Sequence, residues 1–231
     1  MTRNCRMACR LVIGMILLQL PIAAHARTFA AGVRLGAGYV PLSEWREFAE
    51  YVLNSSYDSD RLALFADVYG KASNGRHGLK ANAGYIATSA HLTWVFVSMP
   101  LPGTVARVVD WDFSGFPLSL EYEFSLRENS VATPFFGGGP SVYYSHLRTH
   151  VRVPYASNPS FPIGPYTGEH DGWGYGFSGY IGQRAVITES LLLSAMLRAR
   201  WADGMAFTDR DVDTSIHFTG VDLSLGLEWN F

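Results

Sequence analysis

The chain has 231 residues, of which 48% are hydrophobic and 14% aromatic, with 18 basic and 20 acidic side chains and a formal net charge of −2. This near balance, with no basic patch, argues against a nucleic-acid-binding protein. Both cysteines, Cys5 and Cys9, lie at the N-terminus, so disulfides cannot hold the rest of the chain together.

The first 26 residues have the three parts of a secretory signal peptide. Three arginines open the segment, residues 11–24 are mostly apolar, and Ala-His-Ala at 24–26 is a small-x-small cleavage site. A membrane anchor is the alternative, but the apolar run is short for a spanning helix and Pro21 interrupts it. We therefore predict a signal peptide over residues 1–26 and one further domain over residues 27–231.

After this segment, no run approaches the roughly 18 consecutive apolar residues of a membrane-spanning helix. Apolar residues instead alternate with small or polar ones, which is the pattern of strands with two unlike faces. In chain order, the predicted strands cover residues 28–40, 61–72, 79–94, 105–126, 133–146, 172–187, 191–201 and 221–231. In the fourth strand the apolar parity changes at Ser114-Gly115, which predicts a β-bulge there.

The connections alternate between short turns and longer loops. Turn-forming residues fill 73–78, 127–130 and 188–190. The longest predicted loop covers residues 147–171 and holds four prolines, and the last loop, residues 202–215, is acidic. Because proline is disfavoured inside strands, the proline-rich segment is predicted to be a surface loop.

The first connection carries the one helical pattern of the chain. Its helix-spaced apolar residues are Trp45, Phe48, Ala49, Val52 and Leu53. Ser43 can cap the start and Asn54 can end the helix. This short helix either packs on neighbouring connections or lies as a lid or on a membrane surface.

The final residues, VDLSLGLEWNF at 221–231, alternate without interruption and end on Phe231. About nine to eleven residues also suffice for a tilted strand to cross a bilayer. The segment resembles the last strand of bacterial outer-membrane β-barrels. The segments FPLSLEYEF and TPFFGGGPSVYY are similar to a hairpin of the small barrels of that group, the OmpA-, OmpX- and OmpW-like proteins.

The resemblance implies an all-β fold, a transmembrane antiparallel up-and-down β-barrel of eight strands with the short helix in its first extracellular loop. A closed barrel also satisfies the backbone, since lipid offers it no hydrogen bonds. The implied location is the cell outer membrane, in contact with its lipid and lipopolysaccharide, as a monomer. The implied assembly signal, read by the barrel-assembly machinery, consists of Leu223, Leu225, Leu227, Trp229 and Phe231.

If the aromatic parity of each strand faces lipid, the opposite parity faces the lumen. It supplies four basic and four acidic residues: Arg34, Glu121, Glu123, Arg184, Arg198, Arg200, Asp222 and Glu228. The interior of an eight-stranded barrel is only wide enough for side chains, and an unpaired charge there is costly. We predict a paired network that plugs the barrel, and the alternative is a charge-lined conduit for a small solute.

Two acidic and histidine-rich segments raise the question of a metal site. Asp209, Asp211 and Asp213 have the spacing that opens a calcium loop, but Thr214 and Gly220 stand where that loop needs Gly and Glu. We therefore predict a solvated acidic loop, with a divalent cation site as the alternative. A metal site at His146, His150 and His170 requires that they converge, which their spacing does not ensure.

Some small outer-membrane barrels are lipid-modifying hydrolases or acyltransferases. This sequence has no G-x-S-x-G motif, and His91 and His217 lack an evident serine and carboxylate partner set. We expect no catalytic residue, no cofactor and no metal. Three functions stay open: a structural or surface-interaction protein, a narrow channel for small or hydrophobic solutes, and a lipid-modifying enzyme.

Overall fold

The computed structural model describes residues 26–40, 56–59, 62–98, 103–127, 132–156, 165–209 and 212–231. The strands are β1 (Thr28–Tyr39), β2 (Ser56–Ser59), β3 (Leu62–Asn74), β4 (His77–Ser98), β5 (Gly103–Ser125), β6 (Ala132–Ala156), β7 (Tyr166–Val186), β8 (Leu191–Asp209) and β9 (Val212–Asn230). Within these ranges no helix is long and apolar enough to span a membrane. The predicted first-loop helix at 43–54 lies outside the described residues, as does nearly all of the predicted signal peptide.

The strands form one closed antiparallel sheet. β1 pairs with β3, each strand from β3 onward pairs with the next, and β9 pairs back with β1. The short β2 pairs with Ala90–Thr93 of β4, just beyond the segment that β3 covers, so β2 and β3 share one position in the barrel. This confirms the predicted eight-stranded up-and-down barrel.

Below the upper part of the barrel, the alternation along the strands separates an apolar outside from a polar inside. In β9, Leu223 and Leu225 are 61% and 60% exposed, whereas Asp222 and Ser224 are buried between them. Aromatic pairs flank the aliphatic belt, with Tyr85–Phe116 (ring centroids 5.2 Å apart) towards one end and Phe124–Phe136 (5.5 Å) towards the other. This is the arrangement of a surface that contacts lipid.

The turn between β3 and β4 and both ends of the described chain lie at the same end of the barrel, here called the lower end. Gly75, in the two-residue β3–β4 turn, has φ of 60°, a conformation that suits glycine. The backbone N–H of Arg27 donates to Ser73 O at 2.9 Å, and that of Phe231 donates to Phe29 O at 2.8 Å. The upper end is the opposite one.

Two predicted loops are largely strand. β6 continues to Ala156, β7 begins at Tyr166, and β8 and β9 leave only residues 210–211 between them. The predicted loops at 147–171 and 202–215 were therefore wrong over most of their length. The reason is that backbone pairing between the strands continues into a region where the outward side chains are no longer apolar. Pro154 lies where β6 bulges, with residues 153–154 opposite Arg107, a position that tolerates proline.

The predicted bulge at Ser114-Gly115 was also wrong. The register between β4 and β5 is the same on both sides of it, with Thr88 opposite Phe113 and Ala83 opposite Leu118. Phe113 is instead 5% exposed and faces the inside of the barrel. Along β5 the apolar residues change from inward-facing to outward-facing positions because the upper interior of the barrel is apolar. The strand itself continues without a bulge.

Candidate functional site

The barrel interior holds the densest group of ionisable side chains in the described part of the chain. Eleven charged residues are buried there, none more than 9% exposed, and six are basic and five acidic. They come from every barrel position except β6, since β6 contributes Ser141 and Tyr143 instead. They form two clusters of ion pairs, a lower and an upper cluster.

The lower cluster is built around two glutamates. Glu123 lies 2.8 Å from Lys80 Nζ and 3.7 Å from Lys71 Nζ, and it contacts the guanidinium of Arg184. Glu228 contacts Lys71 and lies 3.2 Å from Arg184 Nε. Because Lys71 and Arg184 each contact both glutamates, this cluster links β3, β5, β7 and β9 across the interior.

Aromatic rings enclose the lower cluster. The Lys80 ammonium lies 4.6 Å from the ring centre of Tyr180, and the Arg184 guanidinium lies 4.1 Å from that of Phe135, both within cation–π range. A Cβ added to Gly137 would lie 2.6 Å from the Tyr180 hydroxyl and 2.4 Å from a backbone oxygen. Glycine in the 137–139 run therefore provides the space that the ring needs.

The upper cluster is built around Asp67 and Glu121. Asp67 lies 3.3 Å from both Arg34 and Arg198, and Glu121 lies 3.5 Å from Arg198. Arg200 donates to Asp222 at 2.7 Å. Arg198 therefore joins β8 to carboxylates of β3 and β5, on other walls of the barrel.

Neutral side chains add hydrogen bonds to the upper cluster. Arg34 donates to the Asn82 side-chain oxygen at 2.7 Å, and Asn82 donates to Ser119 at 3.0 Å. Ser119 and Ser178 donate to Glu121 at 3.1 and 3.2 Å. Such partners are what a buried carboxylate requires in addition to a counter-charge.

All eight charged residues that the sequence placed in the lumen lie in these clusters. The sequence reasoning missed Asp67, Lys71 and Lys80. Asp67 and Lys71 share their parity with Phe65 and Tyr69, so that face of β3 does not look polar. The signal that identifies the inward face of β3 is the run of apolar residues at the opposite parity. These include Leu64 and Val68, which the structure places on the outside.

Above the upper cluster the interior becomes apolar. The buried apolar side chains there are Phe65, Ile86, Trp111, Phe113, Leu147 and Val151, and the buried polar ones beside them are Thr88, Ser145 and Thr149. They come from β3 to β6. The interior thus has a charged lower part and an apolar upper part.

Outside the barrel, above the aromatic pair of Tyr144 and Trp173 (5.0 Å), the wall carries cross-strand polar pairs. We call them the outer ladder: Asp110–Arg152 (2.6 Å), Arg148–Glu169 (2.8 Å), His146–Asp171 (2.9 Å) and His150–Thr167 (3.1 Å). The hydrogen bond with His146 holds the pKa of the Asp171 carboxyl below its ordinary value. The outward face is therefore polar at this height.

The candidate metal residues are not brought together where their side chains are described. His146 and His150 contact different partners on β7. Across the described ranges, no group of three or more His, Cys, Asp or Glu residues could hold a metal ion. Asp209 lies on β8 and Asp213 on β9, but the structure does not describe their side chains, nor those of His91 and His217. Asp211 lies outside the described residues.

No protein-family model matches the chain, and no curated protein matches it by sequence. It is similar to solved structures that include Neisserial surface protein A (12% identity, 88% of this chain and 97% of that one, TM-score 0.42). Others are OprG from Pseudomonas aeruginosa (12%, 88% and 94%, 0.49) and Ail from Yersinia pestis (11%, 88% and 98%, 0.43). The closed eight-stranded antiparallel barrel, apolar outside and charged within, gives this chain the fold of the small outer-membrane β-barrel proteins.

Proposed function

We propose that this chain is a bacterial outer-membrane protein with a structural or surface-interaction role, whose lumen is closed by the two charged clusters. The observation that carries the proposal is the burial of eleven charged side chains inside the barrel, where they form the lower and the upper cluster. Six cations and five carboxylates nearly balance, whereas ion-selective pores use rings of one sign.

The outer surface supports the membrane location. Leu35, Leu62 and Ile181 are 70%, 63% and 61% exposed, and they belong to a belt that surrounds the barrel. An apolar surface of this extent is costly in water and suits lipid. Lipid and lipopolysaccharide are then its immediate surroundings, and the barrel-assembly machinery would insert it.

Cell fractionation and planar-bilayer recording test the two parts of this proposal separately. We expect the protein in the outer-membrane fraction, with the heat-modifiable gel mobility of a folded barrel. We expect no steady single-channel conductance, because the charged clusters fill the lumen. A steady, ion-selective conductance would overturn the closed lumen while leaving the membrane location intact.

A second candidate function is a narrow passage or binding site for small hydrophobic solutes. The apolar upper interior favours it, since a charged plug alone does not require Trp111 and Phe113 to face inward. Under this candidate, purified barrel binds a small aromatic fluorophore, and Phe113→Ala changes the affinity. Phe116→Ala, on the outer face of the same strand, is the matched control and should not change it.

We further propose that the role is not catalytic. The support is negative sequence evidence, the lack of a recognisable serine, histidine and carboxylate set. Mass spectrometry of lipid A from cells with and without the expressed protein tests this. A mass shift in lipid A that depends on the protein would establish the enzyme instead.

A further inference from the structure

A groove of about 640 Å³ crosses the outer wall of β3 to β6. Its volume is within the roughly 300–1,000 Å³ of small-molecule sites. Its β3–β4 side carries the apolar Leu62, Leu64 and Tyr85, all of which face outward, with Ala87, Thr88 and Ser89 beside them. Its β5–β6 side is mostly polar, with Asp112, Ser114, His146 and Arg148 beside Phe113.

The polar side is held by the sheet register. Ala87 is opposite Ser114, and Ser114 is opposite His146. Two residues nearer the upper end, Asp112 is opposite Arg148. These residues all line the groove. The groove also adjoins the Tyr85–Phe116 aromatic pair and the lower rungs of the outer ladder. It therefore lies where the outer wall changes from apolar to polar.

Arg148 and Asp112 lie opposite each other at the polar side. Arg148 pairs with Glu169 through Nε at 2.9 Å and one terminal nitrogen at 2.8 Å, so its other terminal nitrogen is not used by that pair. The Asp112 carboxylate is exposed and makes no ion pair with any described residue. Side chains directly opposite in an antiparallel pair have Cβ atoms about 4.5–5.5 Å apart.

This combination matches one kind of molecule at this position. An acyl chain fits the apolar side, a phosphate matches the Arg148 guanidinium, and a primary ammonium beside that phosphate matches Asp112. A purely anionic head would leave Asp112 facing a like charge. We propose that this outer groove binds a lipid with a phosphoethanolamine head, the acyl chain along Leu64 and Tyr85. The inference rests on the proposed membrane location.

Native mass spectrometry of the folded, detergent-purified protein tests it with three lipids of identical acyl chains. The heads are phosphoethanolamine, phosphocholine and phosphoglycerol. Phosphocholine has the same net charge as phosphoethanolamine but no N–H to donate to Asp112. We expect phosphoethanolamine to bind most tightly, and Asp112→Asn to weaken it on the order of tenfold, as for loss of a hydrogen bond to a charged group.

Arg148→Gln should weaken all three lipids, because all three carry the phosphate. Arg152→Gln is the matched control, since it removes another surface ion pair, with Asp110, from outside the groove lining. Equal binding of phosphoethanolamine and phosphocholine, or an unchanged affinity in Asp112→Asn, would overturn the proposal. So would tighter binding of phosphoglycerol, which would indicate an anionic lipid instead.

Failure of this inference is distinguishable from failure of the proposed function. The lipid assay uses purified protein whose folding is verified by gel mobility, and it does not depend on where the protein resides in the cell. A protein that fractionates to the outer membrane but does not discriminate between the heads would refute only the groove.

Discussion

At the scale of single residues, the interior shows how buried charges are held by partners on other strands. Arg198 is 1% exposed and contacts both Asp67 and Glu121, so its desolvation is offset by two carboxylates from other strands. Each member is stable only with its partners present. The consequence is that the loss of one side chain leaves the others as uncompensated buried charges.

Arg198→Ala and Glu121→Ala should therefore each lower the free energy of unfolding by about 3–5 kcal/mol. Denaturant titration of the refolded barrel measures this. Arg152→Ala removes an exposed ion pair, so it should cost no more than about 1 kcal/mol. The double variant of Arg198 and Glu121 should cost less than the sum of the single ones, and strict additivity would show that the two do not interact.

At the same scale, Gly137 tests steric packing in the interior rather than charge pairing. Gly137→Ala should destabilise the barrel by about 1–3 kcal/mol, because the new methyl group overlaps the Tyr180 hydroxyl and the backbone oxygen of Tyr122. Gly70→Ala is the control, since a Cβ there meets nothing within 4 Å. Equal stability of the two variants in denaturant titration would contradict the close packing at Tyr180.

At the scale of the element, each strand is defined by two unlike faces, one exposed on the outside of the barrel and one buried inside it. This is why the alternation could be recognised from sequence over residues 221–231, which include the end of β9. The strand nevertheless begins at Val212, because its upper part is continued by pairing with β8, as in Ala206 with Ser215. Backbone pairing with a neighbouring strand leaves no signature in side-chain polarity, so the upper bounds of the strands were not predictable.

Adjacent positions in β9 provide the sharpest test of the two faces. Leu225→Arg places a cation in lipid, which costs about 2–4 kcal/mol near the midplane of the bilayer. Ser224→Arg instead places a cation and a large side chain at a position that is buried inside the barrel. The Leu225→Arg penalty should be smaller in detergent micelles than in bilayers, whereas that of Ser224→Arg should be similar in both. The opposite dependence would reverse the face assignment.

At the scale of the whole molecule, closure creates the site. Eight of the eleven inward-facing charged residues followed from parity, but which of them pair did not. Arg184 on β7 reaches Glu123 on β5 and Glu228 on β9, which are adjacent to it only once all strands are in register around a closed barrel. The resemblance of the final strand indicated the closed architecture, and the register could not be read from it.

Closure also gives the last residue a structural role that can be tested. β9 pairs with β1 from Tyr39–Val221 to Ala30–Asn230, and the Phe231 N–H adds one further bond, to Phe29 O. The Phe231 side chain is 82% exposed, so it contributes little packing within the barrel. Phe231→Ala keeps the backbone bond and removes only the ring. If the ring belongs to an assembly signal, this variant should accumulate less heat-modifiable barrel in cells, yet refold from denaturant into detergent as well as the unaltered protein. Equal losses in cells and in refolding would show that the ring stabilises the barrel itself, and no loss in cells would remove it from the assembly signal.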